Sequence, residues 1–173
     1  VGAKKNGYGD PAIVVDADSN EVLVLCVCGG NKYKNGEQEQ GAIWCKNGTW
    51  DNSITLLTNQ IKNLGAGASN WNTKGMFFAS GRILQSRIVK TGTYYRLYAA
   101  ILSSGYGNAV VYSDDFGRNW KVLGDAKTSC CPDGDEAKVE ELSDGTIVLS
   151  SRAERKRWFN VFTFTDLNAA TGS

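Results

Sequence analysis

The sequence contains no histidine, and this absence excludes several kinds of chemistry. No Ser-His-Asp triad, Cys-His pair or His-ligated metal can form within these residues. Proton transfer and nucleophilic attack would therefore depend on carboxylates, Tyr, Lys or Arg.

The chain also lacks an excess of charge and a long apolar run. Nineteen basic and eighteen acidic residues leave a net charge of +1, which favours neither nucleic acid nor an anionic membrane as a partner. No apolar run approaches the ~18 residues that span a bilayer. Residues 1–10, VGAKKNGYGD, have no signal-peptide pattern, so we expect a soluble chain with any targeting signal encoded elsewhere.

The five cysteines are an odd number, so at least one is unpaired. Two of them are spaced i, i+2 in an apolar run and two are adjacent, and no C-x-x-C motif occurs: they are Cys26, Cys28, Cys45, Cys130 and Cys131. This pattern favours buried, small apolar side chains over a zinc site. We expect neither a metal nor a cofactor.

Strand-like runs recur along the 173 residues, whereas helical periodicity is scarce. The runs form three consecutive meanders, each joined by short Gly, Asp and Asn turns. Their bounds are 12–16, 21–27 and 41–50, then 77–86, 94–102 and 108–123, then 137–142, 146–152 and 159–165. The sequence predicts an all-β chain built as consecutive propeller blades, with a two-sheet sandwich as the alternative.

The octapeptide SDDFGRNW, residues 113–120, lies between two of these runs. Ser113 and Asp115 can accept hydrogen bonds from nearby backbone N–H groups, Gly117 can adopt a positive φ, and Trp120 can pack over the turn. These residues predict a β-hairpin turn stapled by its own side chains. The NGTW stretch at 47–50 is a degenerate copy that lacks the Ser and the Asp.

This octapeptide fits the Asp-box pattern S-x-D-x-G-x-x-W, and a second motif follows it. Glu136 lies sixteen residues after Trp120 and is followed by E-L-S-D-G. Arg152 lies sixteen residues after Glu136. Together the two motifs resemble the exo-α-sialidase (neuraminidase) family, and GYGDPAIVVD and FFASGRILQSR look like its bacterial members. The resemblance implies a six-bladed β-propeller, of which residues 1–173 would be about three central blades.

The resemblance also implies a chemistry. A sialic acid carries a carboxylate at its anomeric carbon, which would repel a carboxylate nucleophile, and sialidases use Tyr instead. A Tyr hydroxyl, with an ordinary pKa of ~10, needs a neighbouring base, and the resemblance gives this role to Glu136. Arg152 would be one of three arginines that clamp the substrate carboxylate. The implied activity is retaining hydrolysis of terminal sialic acids from glycoconjugates by a secreted or periplasmic bacterial enzyme.

Other catalytic parts of the family have no counterpart in these residues. GRIL does not match the R-I-P segment, and all seven tyrosines precede Glu136, whereas the nucleophile should follow it. We therefore expect the remainder of the propeller polypeptide as a partner, and no sialidase activity from the isolated fragment. The alternative is a non-catalytic Asp-box propeller module that binds glycans or has a structural role.

Five further polar residues lie near these motifs in the sequence or in the neighbouring strands. Gln85 and Arg87 could face the pocket, but strand alternation does not decide which face they occupy. Arg155, Lys156 and Arg157 are interpreted as a solvated hairpin tip and left out of the site.

Overall fold

The chain folds into three antiparallel β-sheets that follow one another in sequence, as described by a computed structural model for residues 7–30, 35–79 and 81–167. The first sheet has the order β1-β2-β3-β4, with β5 paired to β3. Its strands are β1 Gly7–Val15, β2 Val22–Gly29, β3 Glu39–Lys46, β4 Thr49–Trp50 and β5 Thr55–Leu56.

The second sheet has the order β10-β9-β8-β6, with β7 also paired to β8. Its strands are β6 Met76–Phe78, β7 Leu84–Thr91, β8 Tyr94–Ser103, β9 Gly107–Ser113 and β10 Lys121–Val122. The third sheet has the order β11-β12-β13, formed by Ala137–Glu141, Ile147–Ala153 and Lys156–Phe162.

The all-β prediction and its three sequential meanders are confirmed, and the three sheets rule out a two-sheet sandwich. The described residues do not form a closed six-bladed propeller, so this part of the prediction stays a prediction. Two details of the sequence-based assignment were wrong. The predicted strand 77–86 is divided between β6 and β7, because Ala79 and Gly81 adopt positive φ values of 68° and 83°. A helix, α1, forms at Thr58–Leu64.

No helix within the described ranges is long and apolar enough to cross a membrane.

The second sheet lies between the other two, and this explains its nearly continuous apolar strands. Along β8, Leu97, Ala99 and Ile101 pack in the core shared with the first sheet. Their neighbours Tyr98 and Ala100 pack in the core shared with the third sheet. Side chains alternate between the faces of a strand, so a strand covered on both faces needs apolar residues at every position. Each large side chain buried in this way contributes about 1.5–3 kcal/mol.

Buried carboxylates join neighbouring sheets. Glu141, at the end of β11, accepts hydrogen bonds from Ser86 Oγ at 2.5 Å and from the Arg87 backbone N–H at 2.7 Å, which ties the third sheet to the second. Glu21, beside the first sheet, accepts from Arg118 at 2.5 Å and Tyr94 at 2.8 Å. A buried carboxylate without such donors would cost several kcal/mol, so these bonds fix how the sheets sit against one another.

The five cysteines are free thiols: four are buried and Cys130 is half-buried. This agrees with their predicted role as small apolar side chains. Burial raises the pKa of Cys28 and of Cys130 to about 11.

Candidate active site

Glu136 and Arg152 lie opposite each other where the third sheet begins. The β11–β12 register pairs Ala137 with Ser151, which places the preceding residue Glu136 across from Arg152. The turn between the strands closes with a hydrogen bond from the Gly145 N–H to the Leu142 carbonyl at 3.0 Å. The spacing of sixteen residues is therefore the consequence of one tight hairpin.

The pair is held by both backbone and side-chain bonds. The Arg152 N–H donates to the Glu136 carbonyl at 2.9 Å, and the Asp135 N–H donates to the Arg152 carbonyl at 2.8 Å. Arg152 Nη1 also forms an ion pair with Glu136 Oε2 and lies 3.7 Å from Asp135 Oδ2. The hydrogen bond to Glu136 raises the pKa of the Arg152 guanidinium, which stays charged.

Both side chains remain accessible to a ligand, with 53% of Glu136 and 57% of Arg152 exposed. Nη1 of Arg152 makes both contacts to the carboxylates. Within the described residues the Nε and Nη2 donors of Arg152 have no partner. Because a guanidinium has five N–H donors in a rigid fork, Arg152 can hold Glu136 with one edge and a ligand carboxylate with another.

Glu136 and Phe77 both line two neighbouring depressions. The first has a volume of about 510 Å³ and the second about 410 Å³, both within the range of small-molecule sites. The first is lined by Asp10, Pro11, Phe77, Gly81, Glu136, Lys138 and Arg157. The second is lined by Phe77, Leu102, Ser103, Ser104, Gly105, Gly107, Pro132, Asp133, Gly134, Asp135 and Glu136. The first depression thus draws on all three sheets.

Two cationic side chains line the first depression together with the acidic Asp10 and Glu136. Lys138 borders it, and so does Arg157, which pairs directly with Arg152 in the β12–β13 register. Like charges opposite each other in a sheet are destabilising unless an anion lies between them. Arg157 donates to Ser150 Oγ at 3.0 Å. The interpretation that Arg157 lies outside the site stays a prediction, although the residue borders the first depression.

Asp10 also borders the first depression, and its backbone is strained. Its φ is 47°, it precedes Pro11, and the β1–β2 register shifts between Gly9 and Ala12. Bulges of this kind re-aim a side chain, and strain persists where the surrounding structure requires it. Neither Asp10 nor Phe77 was predicted from the sequence; the local signal for Asp10 was the Asp-Pro pair that follows two glycines.

Four other polar residues do not join Glu136. Gln85 Nε2 donates to the turn between β1 and β2, and Arg87 Nη2 donates to the Glu141 carbonyl at 3.0 Å. Both line a different depression, beside the far end of β11. Arg155 is exposed at the hairpin tip, and Lys156 lies 3.3 Å from an Asp133 oxygen.

The Asp-box forms the turn between β9 and β10, as predicted, and its side chains staple it. Ser113 Oγ accepts from the Gly117 N–H at 2.8 Å and donates to Asp115 Oδ1 at 2.8 Å. Asp115 Oδ1 also accepts from the Asn119 N–H at 2.7 Å, and Trp120 Nε1 donates to the Gly117 carbonyl at 2.9 Å. These bonds satisfy donors and acceptors of the turn with partners from the turn itself.

The stapled turn also docks on the first sheet. Trp44 Nε1 donates to the Phe116 carbonyl at 2.8 Å, and a Cβ at Gly117 would lie 2.3 Å from Leu23 Cδ2. The four Asp-box positions, Ser113, Asp115, Gly117 and Trp120, line neither depression at Glu136. Their placement indicates a structural role.

No tyrosine among the described residues lines either depression. Tyr98 and Tyr106 are buried, and burial raises the pKa of Tyr106 to about 12, which makes it a poor nucleophile. Within the same ranges, no three Cys, Asp or Glu side chains converge into a group that could hold a metal ion.

No family model matches the chain, but sialidases are similar to it in sequence over most of its length. A sialidase of Micromonospora viridifaciens is 28% identical over 176 residues, which cover 92% of this chain and 25% of that protein. A sialidase of Bacteroides fragilis (strain YCH46) is 27% identical over 164 residues, which cover 88% of this chain and 28% of that protein. The chain thus spans about a quarter of the length of these relatives.

A solved structure shares the fold. The intramolecular trans-sialidase from Ruminococcus gnavus, in complex with oseltamivir carboxylate, superimposes with a TM-score of 0.66 at 12% identity. The match covers 97% of this chain and 54% of that one.

Proposed function

The chain resembles bacterial sialidases over about nine tenths of its length, and we propose that it forms part of the catalytic propeller of an exo-α-sialidase. Its three sheets would be neighbouring blades, and the substrate would be a terminal sialic acid of a glycoconjugate. A secreted or periplasmic location is part of the same proposal.

One observation carries this proposal: Glu136, which lines both depressions, forms an ion pair with the half-exposed Arg152, and Lys138 and Arg157 line the first depression. An anionic sugar needs a cationic site, and a planar carboxylate is best bound by a guanidinium fork. Arg152 retains free donors for such a carboxylate. Lys138 and Arg157 add positive charge in the first depression.

In this proposal Glu136 acts as the general base for a tyrosine nucleophile. Its carboxylate borders both depressions, so it can reach a hydroxyl presented from either side. The described tyrosines line neither one, so the nucleophile would come from a part of the polypeptide outside these residues. The acid and the other two arginines of the clamp would be supplied in the same way, and the 173 residues alone would be inactive.

The test uses the polypeptide that contains this sequence and a fluorogenic sialoside. Glu136→Gln should lower kcat by ~10²-fold or more, as loss of a positioned base does. Arg152→Lys should raise KM, because Lys cannot reproduce the bidentate fork.

Glu140→Gln is the matched control. Glu140 lies on the same strand as the site, is 49% exposed and also pairs with an arginine, Arg82, at 2.8 Å. It borders the depression at the far end of β11, so its loss should leave kcat within about twofold. A Glu136→Gln variant as active as this control would refute the catalytic role.

The rival function is a non-catalytic Asp-box module. The mutual ion pair of Glu136 and Arg152, both half-exposed, is also what a structural surface pair would show. Wild-type protein without turnover that still binds a sialylated glycan would establish this alternative.

A further inference from the structure

A single buried side chain anchors the segment before Glu136 to the second sheet. Asn108, in β9, is fully buried, and its Nδ2 donates to the Asp135 carbonyl at 2.7 Å. Its backbone is engaged as well: the Asn108 N–H donates to the Cys131 carbonyl at 3.1 Å, and its carbonyl accepts from the Cys130 N–H at 2.9 Å. Backbone and side chain of one residue thus hold both ends of segment 130–135.

Two glycines let this segment approach Asn108 closely. A Cβ at Gly107 would lie 2.1 Å from the Cys131 carbonyl oxygen, and a Cβ at Gly134 would lie 1.8 Å from Asn108 Oδ1. Real Cβ atoms do not tolerate such distances, so the backbone passes Asn108 without room for another side chain. The segment therefore has little freedom to shift relative to β9.

The anchor leads directly to the proposed catalytic pair. Asn108 holds the carbonyl of Asp135, the Asp135 N–H donates to the Arg152 carbonyl, and the Arg152 N–H donates to the Glu136 carbonyl. Phe77, which lines both depressions together with Glu136, belongs to the same sheet as Asn108. Asn108 therefore ties the position of Glu136 to the sheet that carries Phe77.

We infer that Asn108 is a positioning residue, which holds Glu136 and Arg152 in the geometry that sialoside cleavage requires. This inference rests on the proposed function. A displacement of about 1 Å in a catalytic group can reduce turnover by ~10²-fold, so a buried anchor one residue from the base should act strongly on kcat.

The test substitutes Asn108→Asp in the polypeptide that contains this sequence. The variant keeps the size of the side chain but turns an oxygen, not an amide N–H, towards the Asp135 carbonyl, so the segment should move. We expect kcat on a fluorogenic sialoside to fall by ~10-fold or more. In a Glu136→Gln background the same substitution should change the residual kcat by less than about threefold, because its effect acts through Glu136.

Ser86→Ala is the matched control. Ser86 is also buried and also joins the second sheet to the third, but it bonds Glu141, at the opposite end of β11. This variant should lower the unfolding midpoint in urea while kcat stays within about twofold. A purely structural role for Asn108 would give the same pattern as Ser86.

Three outcomes decide the matter. The positioning role would be overturned if Asn108→Asp kept the kcat of the wild type. It would also be overturned if the effects of Asn108→Asp and Glu136→Gln on kcat multiplied fully. In both cases the proposed function would stand. Equal turnover of wild type and Glu136→Gln would overturn the proposed function itself. If Asn108→Asp does not fold, Asn108→Ser, which is too short to reach Asp135 and leaves the segment room, is measured in the same cycle against the same limits.

Discussion

Replacement of Gly117 by alanine tests whether the Asp-box turn of the second sheet presses against the first sheet. Gly117 has a φ of 82°, and a Cβ there would lie 2.3 Å from Leu23 Cδ2. Gly48, in the turn between β3 and β4, has nearly the same φ of 78°, but a Cβ there would meet nothing within 4 Å. The two positions therefore share the backbone penalty and differ only in the contact.

The expected free energies follow from these two contributions. A left-handed conformation costs a residue with a Cβ about 1–2 kcal/mol, so Gly48→Ala should lower the free energy of unfolding by that amount. Gly117→Ala adds an overpacking cost of about 1–3 kcal/mol against a fully buried leucine, for a total of about 2–5 kcal/mol. Urea unfolding of the polypeptide that contains this sequence, followed by tryptophan fluorescence, measures both values.

A double variant isolates the contact. Leu23→Ala alone should cost about 2–5 kcal/mol through the cavity it leaves. In the Gly117→Ala background it should cost less, because it also removes the clash, so the two effects should not add. Equal losses in Gly117→Ala and Gly48→Ala, or strict additivity with Leu23→Ala, would show that the turn does not press on the first sheet.

Three further outcomes follow from the buried polar groups. Ser113→Ala should lower the free energy of unfolding by about 1–3 kcal/mol, because a buried N–H loses its acceptor, while the exposed Ser53→Ala should change it by less than about 0.5 kcal/mol. Burial by itself would raise the pKa of Glu21, but the hydrogen bond from Arg118 lowers this pKa below its ordinary value of 4.5. The stabilisation that the Glu21 carboxylate gives the folded protein is therefore present above that pH and is lost as the pH falls through the pKa of the folded state. Glu21→Gln should therefore flatten the acid limb of stability measured by urea midpoints, and an unchanged limb would contradict the assignment. Because burial raises the pKa of Cys28 to about 11, a thiol reagent at neutral pH should label Cys28 only after denaturant is added, and rapid labelling of native protein would refute its burial.

The pairing of Glu136 with Arg152 could be anticipated from the sequence because it is a local property. Two strands joined by a short Asp-Gly turn pair residues at equal distances from that turn, and this places the two residues opposite each other. The Asp-box turn was predictable for the same reason, since its bonds join residues at most four apart. Neither feature depends on contacts with the other sheets.

Short elements escaped detection because their sequence signal is weak. Helix α1 has seven residues, of which only Thr58 and Ile61 are buried, and this is too short for a helical period to emerge. The apolar run at 77–86 appeared continuous, because the positive φ values that divide it depend on how β6 and β7 pair with β8.

What the sequence determined by itself is therefore the strand pattern, the three-meander order, the stapled turn and the facing of Glu136 and Arg152, all of which depend on contacts between near neighbours. The tertiary structure decided the rest of the site. Asp10, Phe77 and Arg157 come from three different sheets and meet only when those sheets pack around the second one. Asn108 reaches Asp135 across 27 residues, because burial of both faces of the second sheet brings β9 against the segment that leads to Glu136.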